Sequence, residues 1–404
     1  VFYLDHAATT PMRACARTAY LSALDHVGNP SSIHGSGQDA RRVLEDARAD
    51  LAGALGCEGI EVILTGGGTE AINLAIKGLF WQRRGEDPRR TRILAPAGEH
   101  HATIDSIEWL VSHEGADVEW LPLDAEGALQ PETLAAAIAR DPDSVALVTA
   151  LWVNNEIGTI LPVVELSRVA AASDVPLHLD AVAAFGHVPI DVAATRLASG
   201  ARGGGGLVAA SVSGHKVGGP VSSGALFLSR AATVVPIQHG GGQQRGIRSG
   251  TQDVAGAASF AAAARESVAG LDEESIRVAV LRDRLIDGVL GSVPGARLTG
   301  PSVGSGRRAP NNAHLSFPGA QGDSLLFLLD LAGISVSTGS ACTAGIPEPS
   351  HVVMALGRSE EEARGVLRFS LGYSSTAADV DALLAALPDA YARAARAGLS
   401  SRAV

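Results

Sequence analysis

From about residue 60 to residue 230, short apolar runs alternate with longer stretches whose apolar residues fall three and four apart. Glu61-Val62-Ile63-Leu64 predicts a strand. A helical pattern carrying Ile72, Leu74, Ala75 and Ile76 begins just past Gly66-Gly67-Gly68-Thr69. Segments 92–95 and 118–121 predict two further strands, with helices at 104–111 and 131–139. Val145–Leu151 is almost wholly apolar, as expected of a parallel strand covered on both faces. A helix at 161–172 and a short strand at 177–179 continue the alternation. This pattern predicts an α/β fold with a mainly parallel sheet and helices on both sides.

Past residue 254 the pattern changes. Residues 254–293 read as helical throughout, followed by short strands at 314–317, 334–336 and 367–370 around a helix at 323–331. A last helix is expected over 377–397, with Gly398 as its stop. Two stretches read as loops: 200–206, with five glycines, which should be mobile, and 301–312. A chain of 404 residues exceeds what one core normally serves. We therefore expect a large domain over 15–254 and a smaller α/β domain formed by 1–14 with 255–404.

Composition narrows the function. The chain is 46% apolar but only 4% aromatic, so Ala, Val, Leu and Gly must fill the interior, which suits packed α/β layers. A net charge of −11 argues against a nucleic-acid binder. Three scattered cysteines, Cys15, Cys57 and Cys342, form no disulfide framework or zinc spacing, and point to a reducing, cytoplasmic setting. No signal-peptide pattern is visible, and no apolar run approaches the roughly 18 residues of a membrane span.

Several positions carry candidate chemistry. Lys216, in Ser213-Gly214-His215-Lys216, follows the apolar run 207–212. A lysine at a strand end sits where open α/β sheets bind ligands, and partial desolvation frees its amine to condense with a carbonyl. The plain alternative is a surface lysine on a turn. Gly68 and Thr69 open a helix whose N–H groups suit a phosphate, although Thr69 also reads as a simple N-cap. Asp180 ends a strand and suits a protonated pyridine nitrogen, or is merely a loop aspartate. In Glu99-His100-His101, one histidine could stack on a ring and move protons while the other faces solvent or caps a helix. Cys342 lies among small residues in Ser340-Ala341-Cys342-Thr343-Ala344, which suggests an accessible thiol, whereas Cys15 and Cys57 read as buried and inert. Arg368 either grips a substrate carboxylate or serves a structural ion pair.

In order along nearly the whole chain, the motifs resemble the NifS/IscS-type cysteine desulfurases of the class V aminotransferase family. They include Leu4-Asp5-His6-Ala7-Ala8-Thr9-Thr10-Pro11, Thr69-Glu70-Ala71-Ile72-Asn73, Val153-Asn154-Asn155-Glu156-Ile157-Gly158 and Ser213-Gly214-His215-Lys216. Arg248-Ser249-Gly250-Thr251, Gly339-Ser340-Ala341-Cys342-Thr343 and Arg368-Phe369-Ser370-Leu371-Gly372 complete the set.

The resemblance implies the type I fold of pyridoxal 5'-phosphate enzymes, that cofactor, and L-cysteine as substrate. It implies that Lys216 carries the cofactor, Asp180 binds the ring nitrogen and His100 stacks over the ring. Gly68, Thr69, Ser213 and His215 would hold the phosphate. Thr251 would reach the phosphate site of a second copy, making a homodimer. Asn155 would contact the cofactor or substrate, and Arg368 the substrate carboxylate. Cys342 would take the sulfur as a persulfide on a long mobile loop and pass it to an acceptor protein, such as an iron–sulfur scaffold or a thiolation enzyme.

Two departures stand out. The family usually has Gln where this chain has Ala183, which cannot bond the cofactor's phenolic oxygen; either Asn155 or a water compensates, or the cofactor's electronics differ. The interval from Asp180 to Lys216 is also long, with 200–206 as the apparent excess. The same scaffold also serves selenocysteine lyases and cysteine C–S lyases, and a non-catalytic scaffold homologue is a further alternative.

Overall fold

A computed structural model describes residues 1–339 and 348–401. Its large sheet has seven strands: β1 (Val62–Thr65), β2 (Arg92–Pro96), β3 (Asp117–Leu121), β4 (Val145–Leu151), β5 (Pro176–Asp180), β6 (Gly206–Ser213) and β7 (Gly224–Leu228). Their spatial order is β1-β7-β6-β5-β4-β2-β3. β7 runs antiparallel to both neighbours, and the remaining pairs are parallel. The α/β class and the mainly parallel sheet thus match the sequence pattern. β4 is buried along its whole length, as its unbroken apolar run requires. From β2 the chain passes to β3 on one side and then returns to β4 on the other. That reversal makes a switch point between β2 and β4, and open α/β sheets bind ligands beside such a point.

A second, three-stranded antiparallel sheet has the order Val366–Ser370, Asn312–Ser316, Arg297–Leu298. Phe2–Tyr3 pairs in parallel with Ile334–Ser335, which ties the N-terminal segment to this region. Leu4, Leu285, Leu315, Phe317, Phe369 and Leu383 share its core.

The helical stretch after residue 254 is two helices, Val254–Ala269 and Leu271–Ser292, that meet at Gly270. Phe260, Ala261 and Ala264 of the first pack into the core of the large sheet, whereas Val278, Leu285 and Ile286 of the second pack into the smaller core. We propose that the domain boundary falls at Gly270 rather than at 254/255.

Two further differences appear. β7 was not foreseen. The helix Ala377–Ser401 runs through Gly398 instead of stopping there, since glycine only lowers helix stability unless the chain turns left-handed at it. The 200–206 stretch is a loop, as expected: Gly200 caps the helix Val192–Ser199 in the left-handed region, and Gly206 already begins β6. A Cβ at Gly206 would lie 2.7 Å from that of Ala201, so the turn needs glycine. Among the described residues no helix is long and apolar enough to cross a membrane.

Candidate active site

A cavity of about 360 Å³ opens over the C-terminal ends of the parallel strands. Gly68, Thr69, His100, Asn155, Asp180, Ser213, His215, Lys216 and Arg368 all line it. Thr251 lies elsewhere and is exposed. Cys342 is outside the described residues, but Gly339, just before it in the chain, lines the cavity.

One end of the cavity is built by backbone. Gly67, with φ 146°, takes the N-cap position of the helix Gly68–Glu86, and no side chain caps that helix. Thr69 is therefore inside the first turn, not the cap. No side chain therefore takes the first N–H groups of this helix, and a helix start of this kind suits an anion. A Cβ at Gly68 would lie 2.8 Å from Val182 Cγ2 and 3.3 Å from Ser213 Cβ, so only glycine lets the helix start come this close to the β5 and β6 loops. Glu70 steadies the turn by accepting the Gly66 N–H and pairing with Arg248 at 2.7 Å.

Asp180 ends β5, and its Oδ1 accepts the Val182 N–H at 2.9 Å. Burial pushes its carboxyl up to about 6, against the opposing pull of the Val182 N–H and the Lys216 charge. A cation beside it would restore the ionised form. Lys216, in a short turn after β6, donates from Nζ to the carbonyls of Ala7 at 2.6 Å and Ala8 at 2.9 Å. His215 Nδ1 lies 3.2 Å from Thr9 Oγ1, and burial holds its pKa down at about 4, helped by the Lys216 charge.

His100 combines two roles that the sequence divided between neighbours. It is the N-cap of the helix His101–Glu114, with Nδ1 accepting the Ala102 N–H at 3.0 Å, and it also lines the cavity. That bond leaves the ring proton on Nε2. Burial first, then the Lys216 charge, lowers its pKa to about 4, so the ring is neutral near pH 7. His101 instead meets the His351 ring edge-on at 5.0 Å.

Arg368 is buried on the second sheet. Its Nη2 pairs with Asp5 Oδ1 at 2.9 Å and its Nη1 donates to the Asn155 carbonyl at 3.0 Å. The ion-pair reading of this arginine holds, and the residue also lines the cavity. The Oδ1 of Asn155 is buried with no partner among the described residues.

Sequence reasoning assigned no role to Asp5, Glu99 or Glu156. Asp5 lies in the N-terminal motif, but nothing local shows that it meets Arg368. Glu99 is fully buried; Oε1 accepts the Leu151 N–H at 3.0 Å and Oε2 has no partner among the described residues. Glu156 touches both flanks of the Cys342 segment: it accepts from Ser350 Oγ at 2.5 Å, and a Cβ on Gly339 would lie 2.9 Å from its Oε2. Cys15 and Cys57 are half-buried rather than buried. Burial nevertheless raises their thiols to about 11 and about 12, which keeps both protonated near neutral pH.

The family model described as aminotransferase class-V matches residues 2–383. An IscS-like cysteine desulfurase of Mycobacterium tuberculosis is 51% identical over 99% of this chain and 98% of its own length. The solved structure of a NifS-like protein superposes with a TM-score of 0.86 at 30% identity, covering 97% of this chain and 99% of its own. That of SspA in complex with cysteine reaches 0.76 at 29%, covering 93% and 100%. With the class-V model matching nearly the whole chain, the fold and its cavity are those of a member of the class V aminotransferase family. Within that class, the chain belongs to the NifS/IscS-type cysteine desulfurases.

The family implies pyridoxal 5'-phosphate, and the residues present fit it. The helix start offers free N–H groups to a phosphate, Gly68 leaves room beside Val182 and Ser213 that a Cβ would fill, and the buried Asp180 awaits a cation.

Proposed function

We propose that this protein is a pyridoxal-phosphate-dependent cysteine desulfurase that converts L-cysteine to L-alanine and leaves the sulfur on Cys342 as a persulfide. The observation that carries this reading is the convergence of Lys216, Asp180, His100 and Arg368 on one cavity beside the uncapped helix start.

When bound, the cofactor supplies an electron sink for the substrate's α-carbon. Gly68, Thr69, Ser213 and His215 would hold its phosphate, Asp180 its ring nitrogen and Lys216 its carbonyl carbon. Arg368 would bind the L-cysteine carboxylate and so aim the α-hydrogen at Lys216. Lys216 Nζ, once displaced by the substrate amine, would take that proton and later return one to the product. Neutral His100, with its proton on Nε2, is suited to stack over the ring and shuttle protons. The Cys342 thiolate would attack the substrate sulfur. A sulfur–sulfur bond forms as the substrate's carbon–sulfur bond breaks, alanine leaves, and the persulfide passes to an acceptor protein.

Thr251 is exposed and away from this cavity, which supports a homodimer in which it serves the neighbouring phosphate site. The sparse cysteines support a reducing cytoplasm.

The test is to incubate the purified protein with cofactor and L-cysteine. Alanine and a reducible persulfide are expected, with Cys342→Ala releasing none. Pyruvate in place of alanine would mean C–S lyase chemistry. A Cys342→Ala protein that released sulfur at the normal rate would sink the persulfide step.

A further inference from the structure

Glu156 has no part in the scheme above, yet its side chain stands between the two ends of the segment that carries Cys342. The residue is buried. Its Oε2 accepts the Ser350 hydroxyl at 2.5 Å, and a Cβ built on Gly339 would lie 2.9 Å from the same oxygen. Gly339 and Ser350 flank Cys342 on either side in the chain. One carboxylate oxygen therefore meets both ends of the segment.

Each end also has a tie of its own. Before Cys342, the Gly339 N–H donates to Ser337 Oγ at 3.0 Å, and the Ser337 backbone bonds that of Arg368 in both directions, at 2.7 and 3.2 Å. Beyond Cys342, His351 Nε2 donates to the Glu99 carbonyl at 2.7 Å, since a carbonyl can only accept. The single Ser350 hydroxyl proton goes to Glu156, which leaves its oxygen free to accept the Val353 N–H at 3.1 Å.

Glu156 in turn belongs to a turn that is pinned from several sides. Asn154 Oδ1 accepts the N–H groups of Glu156 and Ile157, both at 3.0 Å, and Asn154 Nδ2 donates to the Gly98 carbonyl at 3.0 Å. The Asn155 carbonyl takes Arg368 Nη1, and the Glu156 carbonyl takes Asn312 Nδ2 at 2.9 Å. The residue that holds the guanidinium and the residue that meets both ends of the Cys342 segment are thus neighbours in one braced turn.

We propose that Glu156 is a positioning residue for Cys342: it ties both ends of that segment to the turn that holds Arg368. The thiol and the substrate carboxylate then share one reference point. Positioning of this kind acts on the attack at the substrate sulfur and leaves substrate binding alone. A carboxylate suits the task because it accepts a hydrogen bond more strongly than an amide of the same shape. The inference deepens the reading of Cys342 as the sulfur acceptor and rests on it.

Two variants test it. Glu156→Gln keeps the shape and weakens the acceptor; Ser350→Ala removes the donor. In a single turnover of the holoenzyme with L-cysteine, mass spectrometry should show persulfide forming on Cys342 at least about tenfold more slowly in each variant. The L-cysteine concentration that half-saturates the change in cofactor absorbance should stay within about twofold, so kcat falls while KM holds. The double variant should be no slower than the slower single one, because both remove the same contact. A second readout needs no reaction. In the cofactor-free protein, iodoacetamide should alkylate Cys342 severalfold faster in both variants, while Cys15 and Cys57, whose thiols stay protonated, keep their rates. Persulfide formation at the wild-type rate, full additivity in the double variant, or an equal loss of L-cysteine binding would overturn the proposal. A lowered melting temperature with the Cys342 alkylation rate unchanged would make Glu156 a packing residue and overturn it too. No persulfide on wild-type Cys342 would overturn the proposed function as a whole, whereas persulfide on the wild type with unslowed variants overturns this inference alone.

Discussion

On the large-sheet wall of the cavity, Asp180 and Ser213 end neighbouring parallel strands and Lys216 follows three residues later, so sheet register sets their positions. On the facing wall, Arg368 is held by Asp5 and by the Asn155 carbonyl, partners 363 and 213 residues away in sequence. The first wall is local and rigid because backbone ladders build it. The second exists only once the N-terminal segment, the large sheet and the small sheet have met. Lys216 bridges them by donating to the Ala7 and Ala8 carbonyls. Chemistry that needs the amine and the carboxylate grip together thus depends on how the two regions dock.

The largest effect should come from removing the group that touches both walls. Lys216→Ala should lower the rate of alanine formation by at least about 10³-fold, since proton transfer and cofactor attachment are lost together. A steady-state assay with L-cysteine checks this, and a loss under tenfold would take Lys216 out of the chemistry.

Asp5→Ala breaks the second wall. It strands a buried guanidinium and should cost about 3 kcal/mol, read as a lower denaturant midpoint, with KM for L-cysteine raised as well. A variant as stable as the wild type would mean that Arg368 is held by its other partner alone.

Asp180 tests the first wall by pH. Its folded pKa of about 6 exceeds the ordinary value near ~3.9. In the cofactor-free protein the folded state therefore keeps a proton that the unfolded chain releases. That stability is fully present below about pH 4 and is lost as pH rises through about 6, to a limit of about 3 kcal/mol. Against wild type, Asp180→Asn should flatten this part of the melting-temperature profile; parallel profiles would contradict the raised carboxyl.

The smallest effect separates the two tasks of His100. His100→Asn keeps a good N-cap, so stability should hold within a few tenths of a kcal/mol, whereas His100→Ala should cost about 1 kcal/mol. Both should slow turnover about 10²-fold if the ring acts on protons. Equal stability of the two variants would remove the capping role.

Where the signal was local, the sequence was readable. The apolar run of β4, the glycines before the helix Gly68–Glu86 and the strand-end positions of Asp180 and Lys216 each follow from a few neighbouring residues. β7 was missed because no α-helix separates it from β6, so it falls outside the strand–helix alternation that marked the other strands, and Gly398 misled because glycine lowers helix stability without forcing a stop. The role split between His100 and His101 was unreadable because both share a helix start, and only the cap geometry shows which ring turns inward.

By itself, then, the sequence determined the layered α/β class, the phosphate-end glycines and the ordered motifs that placed the chain among cysteine desulfurases, since propensity, periodicity and strand-end chemistry are local. Only the tertiary structure decided that Asp5 neutralises Arg368 and that both flanks of the Cys342 segment reach Glu156. Those contacts join distant parts of the chain through sheet register and docking, which no short stretch of residues encodes.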